Sequence, residues 1–228
     1  MAHSQTKIQL VVFDLDGTLV DSRLDLTLCV NRALNEHGQT PLPEATVARH
    51  VGTGIRPLLK QVAEKAWGKD PQLHMAKYSA LIQTFEDLYT LHLADSTRLY
   101  AGMDEVLAQI KPLPIVVLTN KRQIFADLLL SKIGLTSTFA AIHGREAFAR
   151  PKPDPMPLEE ICRAFKCHPT NAIMIGDTDV DIVCGKSAGT QTCAALYGYG
   201  DRQRLLASPA DFSIRSPVEL LEHLGLPS

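Results

Sequence analysis

The stretch VVFDLDGTLVDS (Val11–Ser22) decides how the chain is read. Val11, Val12 and Phe13 have the β-branched and aromatic bias of a strand, and with Leu10 they form an unbroken apolar run suited to a strand covered on both faces. If strand geometry persists to its end, Asp14 and Asp16 point to one side, because side chains alternate with a period of two. Two carboxylates so placed repel each other, which predicts a compensating positive partner elsewhere in the chain.

Beyond Asp21 the pattern turns helical. Leu24, Leu28 and Ala33–Leu34 fit a helix ending at Gly38, and PLPEATVARHV predicts a second, stopped by the GTG of residues 52–54. IRPLLKQVAEKAWG and a long amphipathic segment through PQLHMAKYSALIQTFEDLYTLHLAD, with room for breaks, continue the theme. Residues 22–97 therefore read as an all-helical block. From residue 98 onward short apolar runs alternate with helical segments: PIVVLTN, FAAIHG, NAIMIGD and QTCAALYGYG as strands, the last of them closing the series, with helices through QIFADLLLSKIG, PMPLEEICRAFKC and VDIVCGKSAG. The expected fold is α/β: a doubly wound, Rossmann-like parallel sheet built from residues 1–21 and 98–228, carrying an inserted helical cap domain, residues 22–97.

A chain of 228 residues has length for one good core and a second small domain. Its formal charge of -2 and lack of Lys/Arg clusters give no footprint for nucleic acid or an anionic membrane, so a small-molecule partner is expected. No apolar run approaches a membrane span, and MAHSQTKIQL lacks the apolar region of a signal peptide, so a soluble, cytoplasmic protein is expected. Oligomeric state is left open. Cys29, Cys162, Cys167, Cys184 and Cys193 have no paired spacing and read as reduced thiols, with Cys162 and Cys167 packing a helix and not binding zinc.

In an open parallel sheet, ligands bind beyond the carboxyl ends of the strands. Those ends carry Asp14 and Asp16, Thr119 and Asn120, and Asp177, with Asp179 and Asp181 following. A cluster of carboxylates needs a cation, and oxygen ligands of this kind favour Mg²⁺ over zinc. Lys152, in the proline-rich ARPKPDPMP, is the second compensating charge. Together these parts suit phosphoryl transfer. One aspartate takes the phosphoryl group, and a carboxyl two residues along protonates the leaving oxygen and later activates water, which gives Asp14 and Asp16 different tasks.

DLDGTLVDS, LTNK, KPDPMP and GDTDVDI, in that order, resemble the four motifs of the haloacid dehalogenase-like hydrolase superfamily, and the likeness runs through essentially the whole chain. The resemblance implies an aspartyl-phosphate on Asp14, acid–base action by Asp16, phosphate contacts from Thr119, Asn120 and Lys152, and Mg²⁺ held by Asp14, the Asp16 carbonyl and Asp177, with Asp181 nearer the outer shell. Asp179 matches no family position and reads as a helix cap or surface residue. An acidic residue at position 16 points to the phosphatases and phosphomutases, and the helical insert, TNK and YGYG (Tyr197–Gly200) look most like the phosphoglycolate phosphatase branch. The chain departs from that branch at Arg122 and at HGREAFARP. The cap would close over the site, with Gly52, Gly54 and the helix start near Ile55 offering N–H groups to an anion and Arg56 pairing with a substrate carboxylate.

GKSAG (Gly185–Gly189) matches GxSxG without a strand directly before Ser187, and DTDVDI lacks the turn glycine of a calcium loop; both read as part of the last motif's helix. The expectation is a Mg²⁺-dependent phosphatase of a small phosphorylated metabolite, with 2-phosphoglycolate in the lead. A pyrophosphatase, a sugar-phosphate phosphatase or phosphomutase, and a non-catalytic binding protein on the same fold stand as alternatives.

Overall fold

The structure is a computed structural model and describes residues 7–67 and 71–226. The first six residues of MAHSQTKIQL, the Gly68 end of the IRPLLKQVAEKAWG helix and the last two residues lie outside the described residues. The chain divides into two compact units, one comprising Met1–Asp21 and Leu99–Ser228, the other Ser22–Arg98.

The first unit begins with β1 (Leu10–Phe13), buried along its whole length, and β2 (Val20–Asp21). The helical unit then holds α1 (Arg23–Glu36), α2 (Glu44–Ala48), α3 (Ile55–Trp67) and α4 (Pro71–His92), the last an unbroken helix of 22 residues. β3 (Arg98–Leu99) forms a two-stranded ribbon with β2. There follow α5 (Met103–Ile110), β4 (Ile115–Leu118), α6 (Gln123–Lys132), β5 (Ala141–His143), α7 (Met156–Ala164), β6 (Ala172–Gly176), α8 (Asp179–Ala188), β7 (Gln191–Ala195), α9 (Arg202–Ala207), β8 (Phe212–Ile214) and α10 (Glu219–His223).

The main sheet has six parallel strands in the order β5-β4-β1-β6-β7-β8. Successive strands run outward on one side of β1 and then on the other, so the winding reverses at β1, which is flanked by β4 and β6. Val12 lies between Val116 and Met174, and Phe13 between Val117 and Ile175. Burial on both faces explains why these strands are continuous apolar runs and not alternating ones. One face packs Leu10, Val12, Val116, Leu118 and Met174 against Leu158, Ile161 and Cys162 of α7.

Two expectations need correction. QTCAALYGYG does not carry the last strand: β8 follows it, a three-residue edge strand whose Ser213 is exposed, too short and too polar to show as an apolar run. Strand geometry also does not persist to Asp16. β1 stops at Phe13, the chain bends at Leu15, and Asp16 makes an isolated bridge to Val20.

Within the helical unit, α1 packs on α4 and α3 packs on α4. Asp25, in the first turn of α1 and 1% exposed, accepts hydrogen bonds from Ser96 N (2.9 and 3.0 Å), Thr97 N (2.8 Å) and Thr97 Oγ1 (2.7 Å). The start and the end of the unit are thereby joined through one buried carboxylate. The N-cap of α1 is Ser22, and Asp21 before it closes β2. All five cysteines are free and buried.

Candidate active site

The crevice at the reversal point collects what the sequence predicted for the first unit. Asp14 follows β1, and its N–H donates to Ile175 O at 2.9 Å. Thr119 and Asn120 follow β4, and Asp177 follows β6. Asp14, Asp16, Thr119, Asn120, Lys152, Asp177 and Asp181 are all buried.

Lys152 Nζ lies 3.0 Å from Asp14 Oδ1 and 2.5 Å from Asp181 Oδ1. Its place is set from behind, because Asn120 Nδ2 donates to the Lys152 carbonyl at 3.0 Å. Asn120 thus reaches the site through Lys152. Asp181 is the third residue of α8 and caps it: Oδ2 accepts from Thr178 N at 3.1 Å and from Thr178 Oγ1 at 2.6 Å, while Oδ1 faces Lys152. Asp179 is not the cap. It pairs with Arg204 at 2.7 Å.

Asp177 is held by backbone. Its Oδ2 accepts from Tyr199 N at 3.1 Å and Gly200 N at 2.9 Å, and Oδ1 accepts from Thr18 Oγ1 at 3.2 Å. The Tyr197 hydroxyl donates to Thr18 O at 3.0 Å, tying the YGYG loop to the turn after Asp16. That turn requires glycine. Gly17 has φ +88°, and a Cβ there would run into the Asp177 carboxylate.

The electrostatics are those of a site built around more negative than positive charge. Burial pushes the Asp14 carboxyl up to about 6, against the pull of the Lys152 ammonium. Burial, then the charges of Asp14 and Asp181, hold Asp177 well above the usual carboxylate range. Lys152 stays firmly charged: burial opposes its charge, but Asp14 and Asp181 raise it above an ordinary lysine. Asp14 Oδ1, although ion-paired, accepts no well-aligned hydrogen bond. Asp14, Asp177 and Asp181 each offer an oxygen within 4.8 Å of the others. Counting Asp16 with its partner Lys121, four buried carboxylates face two ammonium groups. An excess of two negative charges around an under-coordinated oxygen fits a divalent cation with oxygen ligands.

Asp16 does not share its carboxylate with that trio. Lys121 Nζ meets both of its oxygens, at 2.9 and 3.0 Å. Lys121 escaped the residue reading although it closes LTNK; the signal was a lysine directly beyond a strand end. The N–H donors of Tyr199 and Gly200 had no signal, because every residue but proline carries one. Thr119 Oγ1 accepts from Lys121 N at 3.2 Å and so shapes the same turn.

The remaining expected residues belong to the helical unit. Gly54 has φ +93° and directly precedes α3. Arg56, with its side chain 53% exposed, donates from Nε (3.1 Å) and Nη2 (2.7 Å) to Glu86 Oε1.

Among the described residues no helix is long and apolar enough to cross a membrane. The model of a family described as haloacid dehalogenase-like hydrolase matches residues 11–195. A phosphoglycolate phosphatase of Neisseria meningitidis serogroup A is 34% identical over 222 residues, covering 95% of this chain and 94% of its own. That of Chromobacterium violaceum is 34% identical over 220 residues, covering 94% and 96%. The crystal structure of a predicted phosphoglycolate phosphatase from Haemophilus somnus 129PT superposes with a TM-score of 0.89 at 27% identity, covering 96% of this chain and 99% of that one. The match of the whole β1-to-β7 span, with the four motifs lying where the winding reverses, establishes that the chain belongs to the haloacid dehalogenase-like hydrolase family.

Proposed function

We propose that the protein is a Mg²⁺-dependent phosphatase that moves the phosphoryl group of a small organic phosphate, foremost 2-phosphoglycolate, onto Asp14 and then to water. The observation that carries this reading is the Asp14 carboxylate, buried beside a charged lysine and two further carboxylates, with a second acid two residues along. The names of the relatives at 34% identity support the substrate.

An Asp14 oxygen attacks phosphorus, and the bond from phosphorus to the ester oxygen breaks, its electron pair staying on that oxygen, which takes a proton from Asp16. Water then attacks phosphorus, gives a proton to Asp16, and the bond to Asp14 breaks, releasing phosphate. Lys152 and the Thr119 region hold the phosphoryl oxygens. Asp14 and Asp177, backed by Asp181, would hold Mg²⁺, which supplies the positive charge that lets an anionic phosphate enter among carboxylates.

The helical unit acts as the cap, with Gly54 and the start of α3 at its working end. Arg56 binds the substrate carboxylate in competition with Glu86. Five buried free thiols suit a cytoplasmic protein. The test is phosphate release from 2-phosphoglycolate, pyrophosphate, nucleoside monophosphates and hexose phosphates, with Mg²⁺ and with EDTA. 2-Phosphoglycolate is expected to lead, with no release in EDTA or from Asp14→Asn. Release near the wild-type rate from Asp14→Asn would refute the nucleophile.

A further inference from the structure

The two carboxylates of the DLD motif face different lysines. Lys152 serves Asp14 and Asp181. Lys121 covers both oxygens of Asp16, and the two side chains are each 6% exposed. Lys121 is itself fixed on either side of its Cα: its N–H donates to Thr119 Oγ1 at 3.2 Å, and its carbonyl accepts from Arg145 N at 2.8 Å. A lysine normally loses much side-chain freedom when ordered, and here a short, anchored turn at the end of β4 delivers it to one buried carboxylate. The Lys121 ammonium thus reaches both oxygens of the Asp16 carboxylate from across the crevice, from the end of β4.

We infer that Lys121 is the positioning residue of Asp16: it sets the direction of that carboxylate toward the ester oxygen and acts on the reaction through Asp16 and not by holding the phosphoryl group. The inference rests on the phosphatase reading above. Its signature is dependence on the leaving group. An alkoxide such as that of 2-phosphoglycolate needs a proton as it departs, whereas p-nitrophenolate departs without one.

The experiment compares kcat/KM, which reports the transfer to Asp14, for 2-phosphoglycolate and p-nitrophenyl phosphate. The proteins are the wild type, Asp16→Asn, Lys121→Met, Lys121→Arg and the double variant Asp16→Asn/Lys121→Met. Asp16→Asn is expected to lose about 100-fold or more on the alkyl ester and less than about tenfold on the nitrophenyl ester. Lys121→Met should show the same bias at about 10- to 100-fold, and Lys121→Arg should recover a large part of it. In the Asp16→Asn background Lys121→Met should change the rate less than about twofold, because the residue it acts through is gone.

Equal losses on both esters, a further loss in the double variant, or no loss in Lys121→Met overturns the inference. Should Lys121→Met leave the Asp16 charge too poorly paired to fold, Lys121→Arg keeps the charge and reads the bias, and the double variant against Asp16→Asn still reads whether Lys121 acts once Asp16 is gone. A wild type that releases phosphate from neither ester overturns the phosphatase reading itself, and that is seen before any Lys121 variant is made.

Discussion

Removing the charge of Asp14 should stabilise the cation-free protein, and by an amount that depends on pH. Burial raises this carboxyl from 3.8 to about 6, so the folded protein binds its proton more tightly than the unfolded chain does. A raised carboxyl contributes stability that is fully present below its unfolded value and is lost as pH climbs through its folded value. The window therefore runs from about pH 4 to about pH 6, and its depth is about 3 kcal/mol. Asp14→Asn lacks this titration. In urea unfolding with EDTA, its stability relative to wild type should rise by about 3 kcal/mol between about pH 4 and about pH 7. Asp177 moves the difference the same way, since Asp14 is one of the charges that raise it. Millimolar Mg²⁺ should restore much of the wild type's deficit and help the variant less, as a ligand bound only by the folded state must. A difference that stays flat with pH, or that shrinks as pH rises, refutes the reasoning.

Arg56→Ala should raise KM for 2-phosphoglycolate about tenfold and for a plain phosphate ester much less; equal changes would remove Arg56 from carboxylate recognition. Asp25→Ala leaves the Ser96 and Thr97 donors without their buried acceptor and should cost about 3 kcal/mol. Trp67, the single tryptophan, lies in α3 of the same unit, so its fluorescence in denaturant checks this, and a loss under about 1 kcal/mol would count against it. Gly17→Ala forces a side chain onto φ +88° and into Asp177, and should cost about 1–3 kcal/mol while weakening the Mg²⁺-dependent rise in Tm.

The sheet was legible where strands are buried on both faces. LVVF, IVVL and AIMIG are apolar without interruption because helices cover them, and their polar ends mark the crevice. β8 was not, because a three-residue edge strand leaves too little apolar signal to separate from a loop. In the crevice, residue type pointed to Asp14, Lys152 and Asp177, side chains that the fold buries close together. Residue type was silent on what holds Asp177, since the donors are the peptide groups of Tyr199 and Gly200. It left Asp179 between helix cap and surface residue for a different reason: two acids stood at the start of α8, and which of them joins the cap depends on the turn geometry at Thr178. Asp25 went unread because nothing in a helical pattern distinguishes a carboxylate facing solvent from one facing the far end of its own domain.

That carboxylate bears on how the chain finds its fold. β1 must pair with β4, and about 100 residues separate them, a long wait for the first strand to be synthesised. With Asp25 holding Ser96 and Thr97, the path from Phe13 to Ile115 shortens to about 30 free residues, and closing the shorter loop costs about 1 kcal/mol less. Once α1 and α4 have paired, β1 thus has in β4 a partner at the end of a short free path though far from it in sequence.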